Sequence, residues 1–233
     1  MQALFSVRRL ETRLHSLFFL LLFSSAIGTS LSAQVVLDPG KLKKLSVDEL
    51  MNIEVTLVSR TPEKLTEAAS AIQVITGEEI RRSGATNIPE ALRLMPNLQV
   101  SQLSASVWII SARGFNNIFS NKLLVMIDGR TVYTPLYAGV LWEQQHVLLE
   151  DVERIEVVSG PGGTLWGANA VNGIINIITK DSKKTQGFYA SAGTGTFLQD
   201  KTSARYGGKM KDKISYRIFG QHFDRNETRL PNH

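Results

Sequence analysis

Apolar and polar positions change period several times along this chain, and each change predicts a different element. The first is an unbroken apolar stretch, residues 17–23, extended by Ser24, Ser25, Ala26 and Ile27. It stands behind Arg8, Arg9 and Arg13 and ahead of small residues. It is apolar on every face and shorter than the roughly 20 residues of a spanning helix. Residues 1–33 therefore read as a secretory signal peptide cleaved after Ala33, with Ser32 and Gly28 as alternative sites. The competing reading is an amphipathic membrane helix.

Residues 34–44 are polar and broken by Pro39-Gly40, as in a leader. Ser46 with Glu49 opens a short helix through Leu50 and Met51. Residues 53–58 (I-E-V-T-L-V) alternate and are β-branched, so they favour an extended conformation. A strand over 71–76 follows, then a helix over 77–82 stopped by Gly84. A second helix is capped by Thr86 or Asn87 with Pro89 in its first turn, its apolar side supplied by Ala91, Leu92, Leu94 and Met95. Residues 98–103, 107–112, 123–128 and 130–134 read as strands, with Asp128-Gly129 as a hairpin turn. A helical turn is expected over 148–152 and strands over 155–158 and 174–179, around the glycine-dense bend at 160–163. Short strands mixed with short helices indicate an α+β domain. From Gln186 the texture changes to segments of about ten residues, 187–194, 201–208 and 213–223, alternating small, aromatic and polar side chains as transmembrane β-strands do. Ile214, Tyr216 and Ile218 would face lipid and Ser215 and Arg217 the lumen, with Phe219 breaking the alternation. An ordinary antiparallel sheet has the same pattern.

Composition narrows the function. With 43% hydrophobic and 20% charged residues the 233-residue chain is neither disordered, collagenous nor a multi-span helical membrane protein. No cysteine is present, which excludes disulfides, thiolate zinc sites and a cysteine nucleophile. The net charge of +5 falls to +3 once residues 1–33 are removed, and its basic residues are interspersed with acidic ones, so nucleic acid is not an expected partner. His15, His146, His222 and His233 form no ligand pair, and Gly160-Pro161-Gly162-Gly163 matches no phosphate-binding loop. Glu150, Asp151, Glu153 and Glu156, alternating with Arg154, read as a solvated face. No catalytic set, metal or cofactor is expected, which leaves a periplasmic α+β enzyme as the weakest candidate.

One ordered series of landmarks goes further. Between Val74 and Lys180 stand V-I-T-G-E-E-I-R-R-S-G-A, I-P-E-A-L-R-L-M-P-N-L-Q-V, S-A-R-G-F-N-N, L-L-V-M-I-D-G-R and V-E-R-I-E-V-V-S-G-P-G-G-T-L-W-G-A-N-A-V-N-G-I-I-N-I-I-T-K. In order and spacing they closely resemble the plug domain of TonB-dependent outer-membrane receptors, over roughly half the chain. The resemblance implies a plug with a four-stranded mixed sheet and short helices inside a 22-stranded barrel. Its implied organisation is a leader with a TonB-box-like segment over 34–60, a plug over 61–181 and the start of a β-barrel over 182–233. A barrel of that size needs more than about 200 strand residues, so the resemblance also implies the N-terminal part of a longer receptor. A free-standing secreted plug is the alternative.

Roles follow from the resemblance in the same way. Ile53, Glu54, Val55, Thr56, Leu57 and Val58 fall where such receptors carry the TonB box, which pairs by strand addition with the periplasmic domain of TonB, driven by its inner-membrane energising complex. An ordinary first plug strand is the other possibility. Arg113, Arg154 and Glu156 are implied plug-barrel contacts, with salt bridges inside the plug as the alternative for the arginines. Gln102, Ser104, Trp108, Tyr133, Tyr137 and Trp142 are implied contacts to an extracellular small-molecule ligand, the aromatics being equally suited to packing. The implied location is the cell outer membrane.

Overall fold

The structure, a computed structural model, describes residues 54–55, 57, 63–64, 71–114, 116–118, 121–134, 136, 139–211 and 213–227. The expected signal peptide, the expected leader and short helix, and Ile53, Thr56 and Val58 lie outside them. In chain order the first strands are β1 (Glu54–Val55), β2 (Glu63–Lys64) and β3 (Ile72–Thr76), followed by helices α1 (Gly77–Ser83) and α2 (Ile88–Leu92). Strands β4 (Leu98–Gln102), β5 (Trp108–Ala112), β6 (Leu123–Ile127), β7 (Arg130–Thr131) and β8 (Val152–Ser159) come next. A short helix α3 (Gly163–Trp166) precedes β9 (Gly173–Thr179), and β10 (Gly187–Thr194), β11 (Leu198–Met210) and β12 (Ile214–Arg225) complete the order.

The expected mixed sheet is present, with the strand order β3-β8-β9-β6-β7. Its four main strands carry a two-residue fifth, β7, at one edge. The β6-β9 pair is parallel and the other neighbours are antiparallel. Both faces are covered, which is why β6 is a continuous apolar run and β9 is apolar without alternation apart from the buried Asn176. Leu123, Val125, Ile175 and Ile177 join the larger core with Ile80 and Leu92 of the two helices, Trp108 and Trp142. The intervening Leu124, Met126 and Ile174 turn to a second cluster with Leu57, Val158 and Ala170.

Local chemistry sets the boundaries. Thr76 and Glu79 form a capping box on α1: the Thr76 hydroxyl accepts from Glu79 N at 3.2 Å, and the Glu79 carboxylate accepts from Thr76 N at 2.8 Å. Gly84 ends that helix in the left-handed region (φ 72°). Asn87 rather than Thr86 caps α2, accepting from Glu90 N at 2.9 Å. Asp128 and Gly129 turn the β6-β7 hairpin with φ 50° and 76°. The turn over 148–152 is a single 3-10 turn, Leu149–Asp151. Leu94, expected on the apolar side of α2, lies beyond its end and is exposed to an open groove with Gln73, Arg82 and Pro96.

β10, β11 and β12 form an open antiparallel three-stranded sheet, called the wall below. Strands β11 and β12 run to 13 and 12 residues, longer than the segments of about ten that their alternation suggests. Arg205, Arg217 and Lys201 reach the plug, so one face of the wall covers it. Ile214, Tyr216 and Ile218 therefore stand on the other face, with Phe188 and Tyr206 as further exposed apolar groups. Phe219 pairs with Arg205 on the plug-facing side, which accounts for its break in the pattern. Among the described residues no helix is long and apolar enough to cross a membrane.

Candidate functional site

Three regions bear the residues of interest. At the first, β1 pairs antiparallel with β2, Glu54 opposite Lys64 and Val55 opposite Glu63. Leu57, 1% exposed, packs with Ile72, Leu124 and Trp166 on the second face of the plug sheet. The Trp166 indole N–H donates to the Leu57 carbonyl at 2.7 Å. Glu54 and Val55 are thus extended, and Val55 and Leu57 are buried against the plug. Nothing in the 53–58 pattern signalled Trp166, which lies 109 residues away.

At the second region the plug meets the wall. Arg154 bonds Glu156 at 2.9 Å within β8, and Glu156 is fully buried on the sheet opposite Asn176. Arg113, with φ 55°, donates to the Ser159 carbonyl at 3.5 Å. Arg154 thus has a carboxylate partner inside the plug, and Arg113 a backbone carbonyl there. Asp151, 2% exposed, is a carboxylate that crosses to the wall. Its Oδ1 is bonded by Arg205 of β11 and its Oδ2 lies 3.3 Å from Nε of Arg217 in β12. Arg217 also donates to the Lys180 carbonyl at 2.8 Å and to the Thr179 hydroxyl at 3.2 Å. The expected solvated acidic face over 150–156 is therefore corrected. Period-two alternation carries Glu156 into the sheet, and the turn at Leu149–Asp151 aims Asp151 at the two arginines.

Around this point the chain passes from plug to wall. Lys180 donates its backbone N–H to the Asp151 carbonyl and its ammonium to the Glu150 carbonyl, each at 2.7 Å. Outside it, Lys184 pairs with Glu153 at 2.7 Å, and this hydrogen bond, backed by charge attraction, holds the lysine above its usual pKa.

The third region is the pair of loops proposed to face a ligand. Gln102 is half-buried at the end of β4. The Ser104 hydroxyl accepts from Val107 N at 3.2 Å in the tight turn to β5. Tyr133 is half-buried, and Tyr137 lies outside the described residues. Trp108 and Trp142 are 5% and 6% exposed in the larger core, with the Arg93 guanidinium 5.1 Å above the Trp108 ring. Both rings pack within that core.

Comparison with known proteins agrees with this architecture. Residues 64–174 match the family profile of the TonB-dependent Receptor Plug Domain. The Vitamin B12 transporter BtuB of Vibrio vulnificus is 34% identical over 154 residues, which is 64% of this chain and 24% of that protein. The Iron-regulated outer membrane virulence protein of Vibrio cholerae is 31% identical over 176 residues, covering 70% and 26%. The chain spans about a quarter of the length of these relatives. Among solved structures, the ferripyoverdine receptor of the outer membrane of Pseudomonas aeruginosa bound to ferripyoverdine shares the fold. Its TM-score is 0.58 at 21% identity, over 74% of this chain and 22% of that one. The landmarks, the mixed sheet and the profile match coincide, and the chain contains the plug domain of a TonB-dependent receptor, with β10–β12 as the opening strands of its barrel.

Proposed function

We propose that the chain is the N-terminal part of an outer-membrane receptor that binds an extracellular nutrient ligand and gates its energy-coupled uptake. The observation that carries this reading is a plug seated by buried charge on strands whose far face is apolar. Residues 1–33 act as a cleaved export signal, residues 61–181 form the plug, and the strands after 182 begin the barrel. Ligand binds above the plug, at a surface that includes Gln102, Ser104, Tyr133 and Tyr137. Residues 53–58 then pair with the periplasmic domain of TonB, and force derived from the inner-membrane proton gradient rearranges the plug. The names of the relatives favour a cobalamin or a ferric siderophore as ligand.

The partner step is directly testable. The purified chain should bind the periplasmic domain of TonB, and Val55→Pro should abolish binding because proline removes a donor and disrupts strand addition. Unchanged binding by that variant sinks the assignment of residues 53–58.

A further inference from the structure

Among the described residues, plug and wall meet around Arg205 and around Lys201 on the same face of β11, and the two places are built differently. At Arg205 the contact is dense. One buried carboxylate holds two arginines, Arg217 reaches the backbone at Lys180, and Lys180 is bonded to the carbonyls of Glu150 and Asp151. The Ser182 and Ser215 hydroxyls add a bond of 2.6 Å beside the covalent passage from plug to wall. Four residues along the strand, at Lys201, the contact is sparse. The Lys201 ammonium donates to the Thr86 carbonyl at 2.9 Å, the His146 ring lies tilted against Phe223 with centroids 5.4 Å apart, and Glu90 attracts the half-buried Arg225, but among the described residues no ion pair joins plug to wall at this end.

We infer that the plug is hinged on the wall at Asp151 and parts from it at the Thr86-Lys201 contact. Separating the Asp151 end strips a buried carboxylate and two guanidiniums of their partners at once, a large penalty for enclosed charges. Separating the Lys201 end breaks no buried ion pair and returns a flexible, readily hydrated ammonium, with the half-buried Arg225, to water. The two contacts stand about 13 Å apart at the usual rise per strand residue. A swing on the order of 13° about Asp151 thus opens the Lys201 end by about 3 Å on that lever arm. The hinge concerns how the plug moves, and it stands whether or not residues 53–58 engage a partner.

The absence of native cysteine allows a clean test on the full chain in detergent. Ser203→Cys places a thiol on the plug-facing side of β11 between the two contacts, and Thr185→Cys places one beside the joint; both positions are buried. N-ethylmaleimide should label the thiol at 203 about tenfold faster than that at 185, as expected for local over global opening. Lys201→Met should raise the rate at 203 at least about threefold and leave 185 unchanged, whereas Asp151→Asn should raise both. If Asp151→Asn fails to fold, Arg217→Lys takes its place. Equal labelling of the two thiols in the unaltered background overturns the hinge, as does a rate at 203 that ignores Lys201→Met.

Discussion

Trp166→Phe isolates the bond that stows the N-terminal segment. The change keeps an aromatic ring against Leu57, Leu124 and Ile72 but deletes the N–H that serves the Leu57 carbonyl at 2.7 Å. A buried acceptor left without that donor costs about 1–3 kcal/mol. Among the described residues, β1 and β2 share two residue pairs, and the side chains of Val55 and Leu57 supply the apolar contact. A loss of about 2 kcal/mol multiplies the open population roughly thirtyfold, at about 1.4 kcal/mol per factor of ten. Hydrogen exchange of a peptide covering residues 54–57 should accelerate by about that factor, while β8 and β9 stay protected. If the segment is also the partner strand, the apparent affinity for the periplasmic domain of TonB should tighten by up to the same ratio, because the competent fraction rises. Exchange at 54–57 that does not change, or that rises equally in β8 and β9, would refute the reasoning.

Three further outcomes follow from the geometry. Asp151→Asn should lower stability in urea by about 3 kcal/mol, the low end for breaking a buried pair, because Arg217 keeps its bonds to Lys180 and Thr179; an unchanged midpoint would contradict the charge arrangement. Gly207→Ala should destabilise by about 1–3 kcal/mol through overpacking, since its Cβ would lie 2.0 Å from the Thr185 carbonyl, and loss of amide protection in β10 and β11 is the check. The hydrogen bonds from Arg81 and Arg82 lower the Glu78 carboxyl from 4.5 to about 2. A depressed value means the stabilisation is present above 4.5 and disappears as pH falls towards 2. Carbon-detected NMR titration should place the midpoint near the lower value, and Arg81→Ala with Arg82→Ala should return it to the ordinary range.

Elements governed by local rules were legible in the chain alone. Gly84 and Asp128-Gly129 each specify a helix stop or a turn from within a few residues, and the structure uses each in that role. The alternation at Ile214, Tyr216 and Ile218 likewise names the face turned from the plug. The contacts set by distant segments were hidden. Asp151 and Glu156 read as solvated because their neighbours are charged, yet one meets arginines 54 and 66 residues later and the other is enclosed by strands on both sides. Trp108 and Trp142 sit next to loops in sequence but belong to the core, because helices α1 and α2 and strand β6 supply a pocket that no local pattern announces. Only the ordered landmarks, taken together, reveal that these pieces form one plug.

The strand order of the plug sheet also bears on how the chain reaches its folded state. β3 must find β8 about 80 residues away, and β6 must find β9 in parallel across about 50, so the plug depends on distant pairings that form slowly. The wall needs only neighbouring hairpins, which close in roughly 1–10 μs. It follows the plug in sequence yet can zip up ahead of it, presenting Phe188, Tyr206 and Ile218 to water beside unpaired edges. Each passing moment in that half-made condition invites sheets from neighbouring molecules to stick. The kinetic hazard of this molecule therefore lies in its fastest part, and a chaperone that shields the wall would be guarding the time the plug takes to assemble.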